Sequence, residues 1–179
     1  MTAIPTLETA RLRLRRFTVD DQPAFEAFFA DAEASRCVGG PLSRDAAWMR
    51  LCAEIGHWTA AGYGLWALEE RASGAFAGAT GFRKLEGWGL TELTWFVLPD
   101  FRRGGYALEA SRAAIAQAYD GWGWPRVETL ARDENAAARG LIAKLGGAFD
   151  RRETFPDGRA RDVFRLPRPA AAARERSPA

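Results

Sequence analysis

Residues 98–110 read Leu-Pro-Asp-Phe-Arg-Arg-Gly-Gly-Tyr-Ala-Leu-Glu-Ala, and this stretch decides the fold. It predicts a strand end, a turn marked by Pro99, and a glycine-rich loop that opens directly onto a helix. The first N–H groups of a helix have no intrahelical partner, and the peptide dipoles place partial positive charge there. Glycine lets a backbone approach a ligand closely, and Arg102 and Arg103 add two full charges. The stretch therefore predicts an anion site suited to a phosphate-bearing cofactor.

The spacing Arg102-x-x-Gly105-x-Ala107 separates this loop from two other phosphate-binding motifs. A P-loop requires Gly-x-x-x-x-Gly-Lys-Ser/Thr, and the two lysines of the chain, Lys84 and Lys144, lie in no such context. A dinucleotide fingerprint requires Gly-x-Gly-x-x-Gly and normally opens a βαβ unit. The short pattern alone is equally compatible with an ordinary helix start, so the neighbouring segments have to decide.

Those segments predict a regular succession of elements around the loop. Alternating or continuous apolar residues bounded by glycine and proline indicate strands, and a 3.6-residue period indicates helices. In chain order the predicted elements are a strand at 11–17, two helices before residue 61, a hairpin at 62–69 and 75–82, a strand at 91–98, a helix at about 103–119, a strand at 126–130, a helix capped by Asp133 or Asn135, and strands at 148–153 and 160–166.

This order, together with Arg102-x-x-Gly105-x-Ala107, resembles the GCN5-related N-acetyltransferase (GNAT) superfamily. The helix from Asn135 to Gly146 resembles the Asn-x-x-Ser and Lys-Leu-Gly helix of that superfamily, and residues 7–15 resemble the first strand of its RimJ/RimL-like branch. The resemblance covers roughly residues 5–166. It implies a mixed α/β (α+β) fold, with a mostly antiparallel sheet of six to seven strands flanked by about four helices.

Composition bounds the domain organisation and the partners. With 179 residues, 47% of them hydrophobic, the chain can bury one core, so we expect one domain at 1–166. Residues 167–179 are rich in Pro, Ala and Arg and predict a disordered tail. Neither a membrane-spanning stretch nor a basic stripe is present, and the net charge is +2, which argues against membrane and nucleic-acid partners. Two isolated cysteines indicate neither a disulfide framework nor a metal site, and favour a cytoplasmic location.

The resemblance implies acetyl-CoA as the co-substrate and assigns its contacts. Backbone groups of Phe96, Val97 and Leu98 are expected to pair with the pantetheine arm as an added strand would. The pyrophosphate is expected on the loop, which comprises Arg102, Arg103, Gly104, Gly105, Tyr106 and Ala107. Asn135 is expected to contact the pantetheine, to cap its own helix, or to do both.

Glu92 is the candidate general base, because it begins the strand that leads to the cofactor loop. Neighbouring apolar residues could raise the pKa of its carboxyl, although a surface charge on an edge strand is an equally simple interpretation. His57, the single histidine, lies far from any glycine-flanked serine and is expected to be structural. Ala138 stands where the resembled family often carries a serine near the cofactor sulfur, so no general acid is assigned.

The function implied is transfer of an acetyl group from acetyl-CoA to a primary amine, by direct attack in a ternary complex. The acceptor is either a protein N-terminal α-amine or a small amine, and a homodimer is compatible with the family. The alternative is a CoA-binding module with weak or no catalysis, which Ala138 motivates. A third interpretation is an unrelated α/β domain whose glycine loop binds another phosphate ligand or none.

Overall fold

The computed structural model describes residues 4–170, so most of the predicted tail lies outside the described residues. The described strands are β1 (Leu7–Glu8), β2 (Leu12–Arg15), β3 (Leu65–Glu70), β4 (Phe76–Lys84), β5 (Thr91–Val97), β6 (Val127–Ala131), β7 (Ala148–Thr154) and β8 (Ala160–Leu166). The described helices are α1 (Gln22–Ala30), α2 (Ala32–Ser35), α3 (Arg44–Ala61), α4 (Tyr106–Ala116) and α5 (Ala136–Lys144).

These strands form one mixed sheet in the order β1-β2-β3-β4-β5-β6-β8-β7. Neighbouring described strands are antiparallel except β5 and β6, which run parallel. The mixed, mostly antiparallel fold predicted from sequence is confirmed. The sheet has eight strands instead of six to seven because residues 7–8 form a two-residue edge strand on β2. The fifth helix is α2, a single turn capped by Asp31.

The sheet is covered on both faces. One face packs against α1 and α3 through a phenylalanine-rich cluster in which Phe28 stacks on Phe96 with ring centroids 4.6 Å apart. On the other face, α4 lies close to the sheet because its buried positions Ala110 and Ala114 are small. This close packing fixes where the first turn of α4 lies. No helix among residues 4–170 combines the length and apolar character needed to cross a membrane.

Strands β5 and β6 part almost as soon as they meet. Their ladder contains one residue pair, Glu92 opposite Glu128. One residue further on, the Thr129 hydroxyl donates to the Leu93 carbonyl at 2.8 Å, so a side chain replaces the next backbone contact. Beyond that point no strand within residues 4–170 pairs with β5 on this side, and a gap opens in the middle of the sheet.

Candidate active site

The gap between β5 and β6 continues into a cleft of about 610 Å³, which we call the glycine-loop cleft. Its walls are β5, the loop and first turn of α4, and the first turns of α5. Glu92 lies at the end where β5 and β6 meet, and Gly105 lies on the loop after the other end of β5. A volume of this size is in the range of small-molecule and cofactor sites.

The loop turns through two left-handed residues before α4 begins. Gly105 is the residue preceding the helix and has φ of +83°, a conformation that glycine adopts without steric cost. Arg103, with φ of +62°, adopts a similar conformation although it carries a side chain. Both residues line the cleft, as do Tyr106 and Ala107, whereas Gly104 does not. The first N–H groups of α4 therefore open onto the cleft without a side-chain cap.

Arg11, which lies 93 residues before Gly104 in the sequence, holds this loop in place through its side chain. Its guanidinium donates to the Gly104 carbonyl at 2.7 Å and to the Glu109 carboxylate at 2.7 Å, and it lies over the Tyr106 ring. Thr9 also donates to Glu109, and these hydrogen bonds lower the pKa of that carboxyl although burial opposes them. The sequence assigned Arg11 only to the predicted strand at 11–17, and nothing in the pattern pointed to the loop 93 residues away.

Arg102 has a different position from the one expected of a phosphate ligand. Its side chain donates to the Val97 carbonyl at 3.0 Å and to the Ala34 carbonyl at 2.9 Å. It thus ties the C-terminal end of β5 to α2 and closes one side of the cleft. The guanidinium of Arg103 makes no hydrogen bond or ion pair within residues 4–170, which leaves it available to the cleft.

The backbone of β5 presents alternate residues to its two sides. The Leu98 amide donates to the carbonyl of Ala77 in β4. Leu98 and Phe96, which is two residues earlier, therefore direct their backbone groups towards β4 and away from the gap. The Leu93 carbonyl points towards β6, so Trp95 and Val97, at two-residue steps, direct theirs into the gap. Of the predicted backbone partners Phe96, Val97 and Leu98, Val97 therefore faces the gap together with Trp95, whereas Phe96 and Leu98 face β4.

Asn135 caps α5, as expected. Its side-chain oxygen accepts a hydrogen bond from the Ala138 amide at 3.1 Å, and the residue lines the cleft. Ala138 is buried in the same wall and offers no proton donor. The tyrosines are engaged elsewhere, since Tyr106 donates to Glu70 and Tyr119 donates to the Leu166 carbonyl.

Glu92 retains partial contact with solvent through the cleft, yet protein surrounds its carboxyl closely. Burial raises its pKa from 4.5 to about 7, and the positive charges of Arg83, Arg161 and Arg132 oppose this shift without cancelling it. A carboxyl with this pKa is half ionised near neutral pH and can accept a proton from a bound group. Glu92 therefore remains the candidate general base, with a carboxyl whose raised pKa is compatible with that role.

A second cavity of about 460 Å³ adjoins the first, and Glu92, Trp95 and Asn135 line both. Five arginines line it, so we call it the arginine cavity; they are Arg36, Arg50, Arg83, Arg132 and Arg161. Trp88 and Trp95 also line this cavity. Trp66 lies in the core and Trp48 is exposed on α3.

His57 has a structural position. It contacts the Tyr63 carbonyl through Nδ1 at 2.7 Å and lines neither cavity. Among residues 4–170 no group of three or more histidine, cysteine or acidic side chains is arranged to hold a metal ion.

Comparison with known proteins identifies the family to which this architecture belongs. The family described as "Acetyltransferase (GNAT) domain" matches residues 11–148, so the chain belongs to the GNAT acetyltransferases. An uncharacterized N-acetyltransferase of Bacillus subtilis, YoaA, is 27% identical over 147 residues, covering 79% of this chain and 82% of the relative.

Solved structures agree with this assignment. An acetyltransferase from Agrobacterium tumefaciens superposes with a TM-score of 0.83 at 27% identity, over 93% of this chain and 96% of that chain. A RimL ribosomal L7/L12 α-N-protein acetyltransferase superposes with a TM-score of 0.75 over 90% of this chain and 93% of that chain. At 13% identity the second likeness shows the shared fold alone.

Proposed function

We propose that the chain is an acetyl-CoA-dependent N-acetyltransferase that acetylates a primary amine by direct attack within a ternary complex. The observation that carries the proposal is the glycine-loop cleft, which joins an uncapped helix N-terminus to Glu92 along the free edge of β5. Family membership supports acetyl transfer in general terms. Membership of the RimJ/RimL-like branch would imply a protein N-terminal α-amine as the acceptor. The alternative acceptor is a small amine.

The residues of the cleft fit the parts of acetyl-CoA. Amide groups of residues 103–107 at the start of α4 would hold the pyrophosphate, helped by the charge of Arg103. The backbone of Trp95 and the amide of Val97, whose carbonyl is already bonded to Arg102, would hold the amide groups of the pantetheine arm in the manner of an added strand. Asn135 lies on the opposite wall. Bound in this way, acetyl-CoA supplies the thioester carbonyl in the gap near Glu92.

The remaining chemistry falls to this chain's own residues. The acceptor enters through the arginine cavity, and Glu92 takes the proton that makes its nitrogen a nucleophile, directly or through a water molecule. The walls of the gap hold the two reactants together, which removes much of the entropic cost of the reaction. Ala138 provides no proton for the departing thiolate, so we propose that a water molecule protonates it.

The test is release of free CoA thiol from acetyl-CoA in the presence of a panel of primary amines, followed by mass detection of the acetylated product. We expect turnover that depends on the amine and falls by about 10²- to 10⁴-fold in Glu92→Gln, the usual contribution of a general base. His57→Gln, which changes a residue outside both cavities, serves as the matched control and should keep its activity. Tight acetyl-CoA binding without turnover of any amine would instead support a CoA-binding module.

A further inference from the structure

The arginine cavity contains one guanidinium that lacks a partner. Arg36 pairs with Glu33, Arg161 with Asp157, and both Arg50 and Arg83 with Glu54; these pairs account for four of the five arginines that line the cavity. Arg132, which follows β6 directly, makes no side-chain hydrogen bond or ion pair within residues 4–170. It is half-buried, so its charge is only partly solvated.

The charges around Arg132 leave a positive electrostatic potential in the arginine cavity. Arg50 and Arg83 share the single carboxylate of Glu54, at 3.5 and 2.5 Å. The lining carboxylates without an ion-pair partner are Glu92 and Glu134. Glu134 is exposed, and Glu92 is partly protonated near neutral pH. A partly buried guanidinium in such surroundings favours an anionic ligand, because its planar donors match a carboxylate or phosphate.

Arg132 also lies on the acceptor side of Glu92. Its charge acts on the Glu92 carboxyl, and it lines the arginine cavity but not the glycine-loop cleft. An amine that reaches Glu92 through the arginine cavity therefore passes Arg132. A cationic group beside that amine would meet the unpaired guanidinium of Arg132 and be repelled.

We infer that the acceptor is a primary amine that carries an anionic group a few bonds from the nitrogen, and that Arg132 recognises that anion. The inference rests on the proposed function and narrows its substrate class. A free amino acid, a phosphorylated amine and an acidic residue at a peptide N-terminus share this chemistry. Polyamines and other cationic amines lack it.

The experiment compares kcat/KM within pairs of amines that differ in the anion. The free pairs are glycine with glycinamide and O-phosphoethanolamine with ethanolamine, and the peptide pair is Asp-Ala-Ala with Asn-Ala-Ala, both amidated at the C-terminus. A hydrogen-bonded charge contributes about 1.5–3 kcal/mol, so the anionic member should react about 10- to 100-fold faster. The glycinamide amine is the less basic of its pair, so intrinsic reactivity opposes the expected order. A preference for the anionic member in the free pairs assigns the anion to a small-molecule acceptor, and a preference in the peptide pair assigns it to a peptide N-terminus.

Variants test the role of Arg132 itself. In Arg132→Gln the preference for the anionic member should fall at least tenfold, and Arg132→Lys, which keeps the charge, should recover part of it. Arg112→Gln, an exposed position on α4 outside both cavities, is the matched control and should keep the preference.

Two results would overturn the inference. If the two members of every pair react equally, or if Arg132→Gln slows both members by the same factor, Arg132 does not recognise an anion, although acetyltransferase activity stands. If acetyl-CoA binds and no amine is acetylated, the proposed function fails and the inference fails with it.

Discussion

Glu92→Gln should make the folded protein more stable at pH 8.5 while removing its catalytic base. The buried Glu92 carboxyl has a pKa of about 7 instead of 4.5, because burial disfavours its charge more than the nearby arginines favour it. Glutamine keeps the size of the side chain and is neutral at every pH. The substitution therefore removes the cost of ionising this position.

The magnitude follows from the two pKa values. Between pH 4.5 and about 7 the folded protein retains a proton that the unfolded chain has released, so wild-type stability falls as the pH rises through this window. A shift from 4.5 to about 7 corresponds to about 3 kcal/mol at most. Glu92→Gln should approach this gain above pH 8, and the gain should shrink towards zero near pH 4.5.

Urea unfolding of both proteins at pH 5, 6, 7 and 8.5 measures this difference, and the comparison cancels the titration of the other groups. The kcat of the wild type should rise with an apparent pKa of about 7, a limb that the residual activity of Glu92→Gln should lack. Equal stability at every pH, or a less stable variant at pH 8.5, would refute the reasoning. The arginines would then hold Glu92 ionised, and it would not be poised to accept a proton.

Three further substitutions test the cleft. Gly105→Val should weaken acetyl-CoA binding at least tenfold. Gly74→Val, with a similarly positive φ in an open hairpin turn, should lower stability and leave binding unchanged, and calorimetric titration of both variants with acetyl-CoA measures the difference in binding. Arg11→Ala should raise the KM for acetyl-CoA several-fold and leave kcat unchanged in steady-state kinetics, because it loosens the loop at Gly104; an unchanged KM would contradict the bracing role. Ala138→Ser should raise kcat several-fold by supplying a hydroxyl near the thiolate, while Ala143→Ser, exposed on the same helix and outside the cleft, should not; equal kcat values in a thiol-release assay would count against thiolate protonation as a slow step.

Local sequence signals predicted the framework of the site. The turn at Pro99, the left-handed conformation that Gly105 supplies and the cap that Asn135 provides are each determined within a few residues. The small residues Ala110 and Ala114 are likewise visible in the sequence, and they let α4 lie close to the sheet. The position of the loop at the end of β5 follows from these features together.

Features that depend on distant contacts could not be predicted in the same way. Arg11 reaches Gly104 only because β2 and α4 meet in space. Side-chain alternation along β5 is visible in the sequence, but which backbone groups face β4 depends on strand order, and this order turns Trp95 and Val97, not Phe96 and Leu98, towards the gap. The arginine cavity likewise collects residues from separate elements, and arginines spread along a sequence give no sign of meeting.

The most direct test of the central claim is thermal unfolding with and without millimolar acetyl-CoA, with ATP and NAD as controls. At about 100 times its Kd a ligand adds about 2.7 kcal/mol of stability, which for a chain of 179 residues raises Tm by about 5–10 °C. The account predicts a rise of this size with acetyl-CoA and with CoA, little rise with ATP or NAD, and loss of the rise in Gly105→Val. No rise with acetyl-CoA, or an equal rise with ATP and NAD, would contradict the assignment of the glycine-loop cleft to acetyl-CoA.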